Sequence, residues 1–317
     1  MDIKTPKTFV IALGGNSILR ANEKGTIGEQ YHNLQQTSEQ LLELLASGSR
    51  IVITHGNGPQ VGNLLLALEL AKDVVPAMPL DICGAATEGF MGYMIQNTLA
   101  SVLREAGVKH NITTVITQVV VDKNDPAFKN PTKPIGPFYD LNQTQKLRRE
   151  KGWVMIEDAN RGYRRVVSSP RPVSIQQARI IKSMLDAGEI VIAVGGGGIP
   201  GIRGRNRTLM GAEAVIDKDY ASSRLAIEID ADVLLILTAV EHVFRDFGLP
   251  SQKALDHLKL AEAKQLLAKG QFSVGSMEPK IEAAINFLEE KDGEVIITLP
   301  ETATAALQGK TGTRITR

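Results

Sequence analysis

Residues 8–16 read TFVIALGGN: Thr8 to Leu13 is an unbroken strand-forming run that ends abruptly in Gly14-Gly15-Asn16. The pattern recurs at residues 50–62, RIVITHGNGPQVG, where Arg50–Thr54 leads into His55-Gly56-Asn57-Gly58-Pro59-Gln60-Val61-Gly62. It appears a third time where Ile190–Val194 meets Gly195-Gly196-Gly197-Gly198. Continuous apolar runs, as opposed to strict alternation, mark strands covered on both faces of a parallel sheet. Similar runs predict strands at Thr114–Val121, Trp153–Ile156, Val233–Leu237 and Glu294–Leu299. Between them, Gln30–Ala46 carries Leu34, Leu41, Leu42 and Leu45, and Ser174–Ala187 carries Ile175, Ala178, Ile181 and Leu185. These spacings give one apolar stripe per helix. Gly48 and Gly188 follow where a left-handed cap is wanted. Strands alternating with helices imply right-handed crossovers and a layered α/β fold.

One stretch breaks this rhythm. Asp122–Tyr139 holds Pro126, Pro131, Pro134 and Pro137 and shows no periodicity, which reads as a functional or disordered loop. With the basic Lys146–Lys151 and Arg161–Arg165 after it, the segment reads as a small excursion from the main sheet. Pro170 and Pro172 suggest a boundary near residues 171–174, between a small-substrate half and a nucleotide half.

The chain has 317 residues, enough for one large or two ordinary domains and for a core without disulfide or metal staples. Its 36 basic and 35 acidic residues balance to +1, so nothing global advertises nucleic acid or an anionic membrane. Aromatics at 4 % are too few for a base-stacking platform. The lone Cys83 fits a reducing compartment, and polar Met1–Lys7 predicts no signal peptide. The longest apolar runs are too short for a membrane span. The expectation is a soluble, cytoplasmic protein.

The glycine turns are the chemical signal. Backbone N–H groups at a strand-to-helix turn form an anion nest, although Gly14-Gly15-Asn16 alone also fits a simple tight turn. In His55–Gly62 the third glycine arrives one residue late for a dinucleotide fingerprint, which weakens an NAD oxidoreductase reading. Pro59 suits a first helical turn. His55, with no acidic residue nearby in sequence, reads as structural, not as a base. Gly309-Lys310-Thr311 lacks the earlier glycine of a phosphate loop, since Thr304 stands there. Two lysines sit in unusual settings: Lys218 between Asp217 and Asp219, and Lys280 just inside a helix start near Ser276 and Glu278. A cation there opposes the helix dipole unless an anion joins it. Either lysine alone also fits a surface salt bridge. Together with the turns they point to phosphate chemistry.

Ile11–Asn16, His55–Gly62, Asp125–Tyr139 (DPAFKNPTKPIGPFY), Arg164–Val167, Gly195–Pro200, Val215–Asp219 and Gly275–Lys280 resemble, in order and across the chain, the signature blocks of carbamate kinases. The resemblance implies a three-layer αβα sandwich around a mostly parallel sheet, with a small proline-rich protruding lid at about residues 122–167. It implies one kinase-type domain over residues 1–317, with a carbamate-binding lobe at about 1–172 and a nucleotide-binding lobe at about 173–317. It further implies a homodimer and Mg2+-dependent phosphoryl exchange between ATP and carbamate, often run towards ATP in arginine breakdown. By the same resemblance, Lys133, Lys218, Asp219 and Lys280 are catalytic. Gly14, Gly15, Asn16, Gly56, Asn57 and Gly58 bind substrate and phosphate, and Gly195, Gly196, Gly197 and Met277 bind nucleotide, with no metal ligand from the protein. The chain departs from the family at Thr87-Glu88-Gly89, where Ser-Gln-Gly is usual, and at Asn160, where glycine is usual. A kinase for another small carboxylate and a non-catalytic nucleotide-binding regulator are the alternatives.

Overall fold

The computed structural model describes residues 6–20, 23–158, 162–206 and 208–317. Asn160 and the first five residues, on which two of the expectations above bear, lie outside them. In chain order the strands are β1 Thr8–Leu13, β2 Arg50–His55, β3 Ile112–Thr114, β4 Gln118–Val121, β5 Lys133–Tyr139, β6 Met155–Glu157, β7 Tyr163–Val167, β8 Pro172–Ile175 and β9 Ile190–Ile192. They continue as β10 Ile199–Arg203, β11 Leu209–Gly211, β12 Val233–Leu237, β13 Val243–Arg245, β14 Lys253–Leu255, β15 His257–Lys259, β16 Glu294–Thr298 and β17 Thr313–Thr316. The α-helices are α1 Ile27–Gln40, α2 Leu42–Leu45, α3 Gly58–Leu70, α4 Leu80–Glu105, α5 Leu141–Lys151, α6 Ala178–Asp186, α7 Lys218–Glu228, α8 Leu260–Ala268, α9 Met277–Glu290 and α10 Ala303–Leu307.

An eight-stranded sheet, ordered β15-β17-β16-β12-β1-β2-β9-β3, forms the middle layer among the described residues. Its pairings are parallel except β16 with β17. Alternate residues of each strand feed opposite faces. Val10 and Ala12 of β1 join Ile181, Leu225, Ala263, Ile281 and Ala284 from α6 to α9 in one core. Phe9, Ile11 and Leu13 join Leu34, Leu44, Met91, Ile95 and Leu307 from α1, α2, α4 and α10 in the other. This is the three-layer αβα sandwich, with both strand faces dry.

Four of the sequence expectations need correction. Thr114–Val121 is two strands: β3 ends the main sheet, and β4 opens a second sheet ordered β11-β10-β4-β8. Ser174–Ala187 begins as a strand, because Ile175 pairs with Val119 across β4 and β8 before α6 starts at Ala178. The stripe Ile175–Leu185 therefore mixes two elements that face the same core. Gln30–Ala46 is broken at Leu41, and α1 starts earlier because Thr26 and Glu29 form a capping box. The proline-rich stretch is not wholly irregular: β5 occupies its second half and pairs with β7 in a three-stranded sheet completed by β6. Backbone contact fixes that sheet to the body, since a Cβ on Gly62 of α3 would lie 1.8 Å from Gly136 N of β5. Val61, Leu80, Cys83, Ile135, Val167 and Val215 fill the space beneath it.

Candidate active site

Because β1, β2 and β9 are parallel neighbours, their C-terminal turns lie side by side on one edge of the sheet, where open α/β sheets bind ligands. In the first turn Gly14 packs on the end of β12, where a Cβ would meet Leu237 O at 2.3 Å, and Gly15 faces open space. In the second, Pro59 occupies the first turn of α3, and Asn57 Nδ2 donates to Thr87 Oγ1 of α4 at 2.8 Å. The third turn is the most unusual. Val194, Gly196, Gly197 and Gly198 all have positive φ, at 55°, 66°, 88° and 78°.

Three lysines from three distant segments converge beside these turns. Lys218 opens α7, and its Nζ donates to Asp219 Oδ1 at 2.5 Å. Lys280 lies in the first turn of α9 and donates to Asp219 Oδ2 at 3.0 Å and to Ser276 O at 3.1 Å. Lys133, at the start of β5, donates to Asp217 Oδ2 at 2.5 Å. Asp217 also caps α7, its Oδ1 accepting from Asp219 N at 2.9 Å. Lys218 is thus not fenced by both neighbouring carboxylates: Asp217 serves Lys133, and Asp219 lies between Lys218 and Lys280. Three ammonium groups against two carboxylates leave one positive charge in excess at two helix N-termini, where an anion is favoured.

The electrostatics follow from burial and spacing. Burial acts to raise the Asp219 carboxyl, but Lys218 and Lys280 outweigh it and hold the group well below the usual aspartate range. Burial likewise acts to raise Asp217, and Lys133 turns the balance downward. The Lys218 ammonium falls below its ordinary value, mainly through burial and then through Lys280, against the pull of Asp219. Lys280 goes the other way, because Asp219 and Asp217 outweigh the effect of burial. His55 is fully buried and driven down to about 4, chiefly by burial. Its Nδ1 lies 3.1 Å from Gly56 O, a contact that places the proton on Nδ1 and leaves the buried Nε2 without a partner. That is the neutral, structural histidine the sequence suggested.

A cleft of about 940 Å³ opens over this cluster. Lys133, Lys218, Asp219, Lys280, Gly56, Asn57, Gly58 and Gly196 all line it. Gly15 and Asn16 line an adjoining cavity of about 530 Å³, and the two spaces share Gly56 to Pro59 and Arg164. Gly14, Gly195 and Gly197 lie behind these walls, and Met277 is half-buried against the core under α9. The sequence reading missed Asp217, Arg164 and the Ser273–Gly275 rim as site residues. Arg164 was visible as part of a basic block and of the Arg164–Val167 signature block, with no site role given to it. Folded, its Nε donates to Gly136 O and its Nη1 pairs with Asp158 at 3.1 Å. Among the described residues no group of three or more His, Cys, Asp or Glu side chains converges as a metal site, and no helix is long and apolar enough to cross a membrane.

A sequence model of the amino acid kinase family matches residues 7–299. The carbamate kinase of Pyrococcus horikoshii is 47 % identical over 313 residues, covering 98 % of this chain and 99 % of the relative. Among solved structures, the carbamate kinase from Giardia lamblia bound to citric acid superposes with a TM-score of 0.94 at 42 % identity, covering 99 % of both chains. The same enzyme bound to AMP-PNP gives 0.90, also at 42 % identity and 99 % coverage of both chains.

Proposed function

The chain belongs to the amino acid kinase family and, within it, to the carbamate kinases, and we propose how its own residues carry the exchange ATP + carbamate ⇌ ADP + carbamoyl phosphate. The observation that carries the proposal is the convergence of Lys133, Lys218 and Lys280 on two aspartates beside the glycine turns. Carbamate lies on the Gly14–Asn16 and Gly56–Gly58 side, where backbone N–H groups hold a small planar anion. The nucleotide extends along the other side of the cleft, past Gly195–Gly197 towards Ser273 and Met277.

Phosphoryl transfer asks for positioning and charge neutralisation more than covalent help. One carbamate oxygen forms the new P–O bond as the bond to the ADP oxygen breaks. That oxygen is already anionic, so no general base is needed, and neutral His55 is not asked to be one. Lys218 and Lys280 flank the transferring group, and Asp219 keeps both aimed at it. Lys133, on a strand stiffened by Pro134, reaches the same group from the lid. Asp217 and Asp219 are already engaged by ammonium groups, a donor set that fits Mg2+ held by nucleotide phosphates and water and not by a protein cage. Bound in that way, the ion neutralises phosphate oxygens.

An acyl phosphate transfers its phosphoryl group readily to ADP, so the proposed working direction in the cell is towards ATP, by a homodimer in the cytoplasm. The test is ATP formation from ADP with carbamoyl phosphate, run beside acetyl phosphate. Turnover with carbamoyl phosphate alone is the expected result. Preference for acetyl phosphate, or binding of ADP without any turnover, refutes the assignment.

A further inference from the structure

We propose that Glu88, inside α4 and outside the cleft, is a positioning residue for phosphoryl transfer, its carboxylate holding the Val194–Gly198 turn in the geometry that presents Gly196 to the cleft. The proposal rests on the phosphoryl-transfer reading above. Glu88 is 1 % exposed. Its Oε1 accepts from Gly195 N at 2.9 Å and its Oε2 from Thr117 N at 3.1 Å. Thr117 completes the clamp, since its Oγ1 accepts from Val194 N at 3.0 Å and donates to Val115 O at 2.7 Å.

The clamp is needed because the turn is strained. A β-branched residue takes a left-handed backbone only where its surroundings force it, and Val194 has φ 55°. Three glycines with positive φ follow within four residues, so the segment has little stiffness of its own. The turn also lies directly on the acid: a Cβ on Gly195 would meet His55 Nε2 at 2.4 Å and Glu88 Cγ at 2.8 Å. Thr87, the preceding residue of α4, holds Asn57 of the second turn. One turn of α4 therefore braces two of the three glycine turns.

The ionised carboxylate serves both N–H donors. A protonated carboxyl keeps one strong acceptor, so one of the two N–H donors is less well served. Burial dominates the titration of Glu88 and pushes it up to about 8, while the bonds from Thr117 and Gly195 pull the other way. Among the described residues, the titratable groups facing it are His55 of β2 and, behind the imidazole, Lys218 of α7. No charge on α1, α2, α3, β3, β9 or β10, which also pack on α4, contributes. Turnover should therefore rise as Glu88 loses its proton.

The experiment measures ATP formation from ADP and carbamoyl phosphate by the wild type and by Glu88→Gln, from about pH 6 to about pH 9.5. Glutamine keeps the volume but offers one acceptor, so it stands in for the protonated acid. The expected ratio of turnover, wild type over variant, is near one at the acid end. It climbs to roughly tenfold at the alkaline end, the scale of one hydrogen bond to a charged group. The ratio cancels the ionisation of the substrates. A ratio constant across the range, whatever its size, assigns Glu88 a structural role only and overturns the proposal. If Glu88→Gln does not fold, the wild-type profile decides, and absence of an inflection near 8 overturns it. Wild type inactive at every pH refutes the phosphoryl-transfer reading instead. The stabilisation of both proteins by ADP across the same pH range then tests the clamp alone, and equal stabilisation throughout overturns it.

Discussion

Replacing Asp219 by asparagine isolates what this carboxylate does for two cations. Its side chain is 4 % exposed, and it receives Lys218 at 2.5 Å and Lys280 at 3.0 Å. The amide preserves shape, and the cap from Asp217 to the residue 219 backbone N–H is untouched. What changes is that two ammonium groups, each nearly buried, lose their shared counter-charge. Removing one partner of a buried ion pair typically costs about 3–5 kcal/mol. For 317 residues the unfolding entropy at the midpoint is roughly 0.7 kcal/(mol K). Asp219→Asn should therefore lower Tm by roughly 4–7 °C. Lys280→Ala should lower it far less, because Asp219 keeps Lys218. Differential scanning calorimetry of both variants, with and without ADP, reads the difference. ADP should stabilise Asp219→Asn more than the wild type, since its phosphates supply the missing negative charge. An unchanged Tm in Asp219→Asn, or an equal drop in Lys280→Ala, refutes the account of Asp219 as the charge that holds the pair.

The remaining expectations are kinetic or pH-linked. Lys218→Ala and Lys280→Ala should each lower turnover by on the order of 100- to 1,000-fold with folding intact, the scale of losing one contact to a transition state, and near-normal rates would remove that lysine from the mechanism. Lys133→Ala should lower turnover by on the order of 100-fold while ADP affinity and molecular mass stay as in the wild type, and full activity with a dissociating dimer would make the lid a dimer arm. Glu88 should make the fold less stable as pH rises: between its ordinary 4.5 and about 8 the folded chain holds a proton that the unfolded chain has lost. The slope is up to about 1.4 kcal/mol per pH unit, and a thermal-denaturation slope identical in wild type and Glu88→Gln would show that this proton is not bound.

How far the sequence could be read depended on whether a residue's meaning is local. Five strands of the main sheet, β1, β2, β9, β12 and β16, were legible because burial on both faces leaves apolar runs, whereas the short or partly polar β3, β15 and β17 left no such run. The turns were legible because four glycines in a row have few uses other than close approach. Local pattern failed where two elements share one core. Ile175 belongs to β8 and Ile181 to α6, but both face the same apolar layer, so their spacing imitates a single helix. It failed again at β5, where prolines hid a strand whose partner, β7, lies some thirty residues downstream. The site divides along the same line. Lys218 stood out because two carboxylates flank it in sequence, but which carboxylate serves which lysine is decided by Lys133 and Lys280, which arrive from other segments. Glu88 is the extreme case. The sequence marked it only as a departure from the family pattern, and its partners Gly195 and Thr117 are 107 and 29 residues away. Only the fold shows that a side chain absent from the cleft touches the turn that shapes it. The same distance from the ligands lets a substitution there alter the chemistry while every residue that lines the cleft remains unchanged.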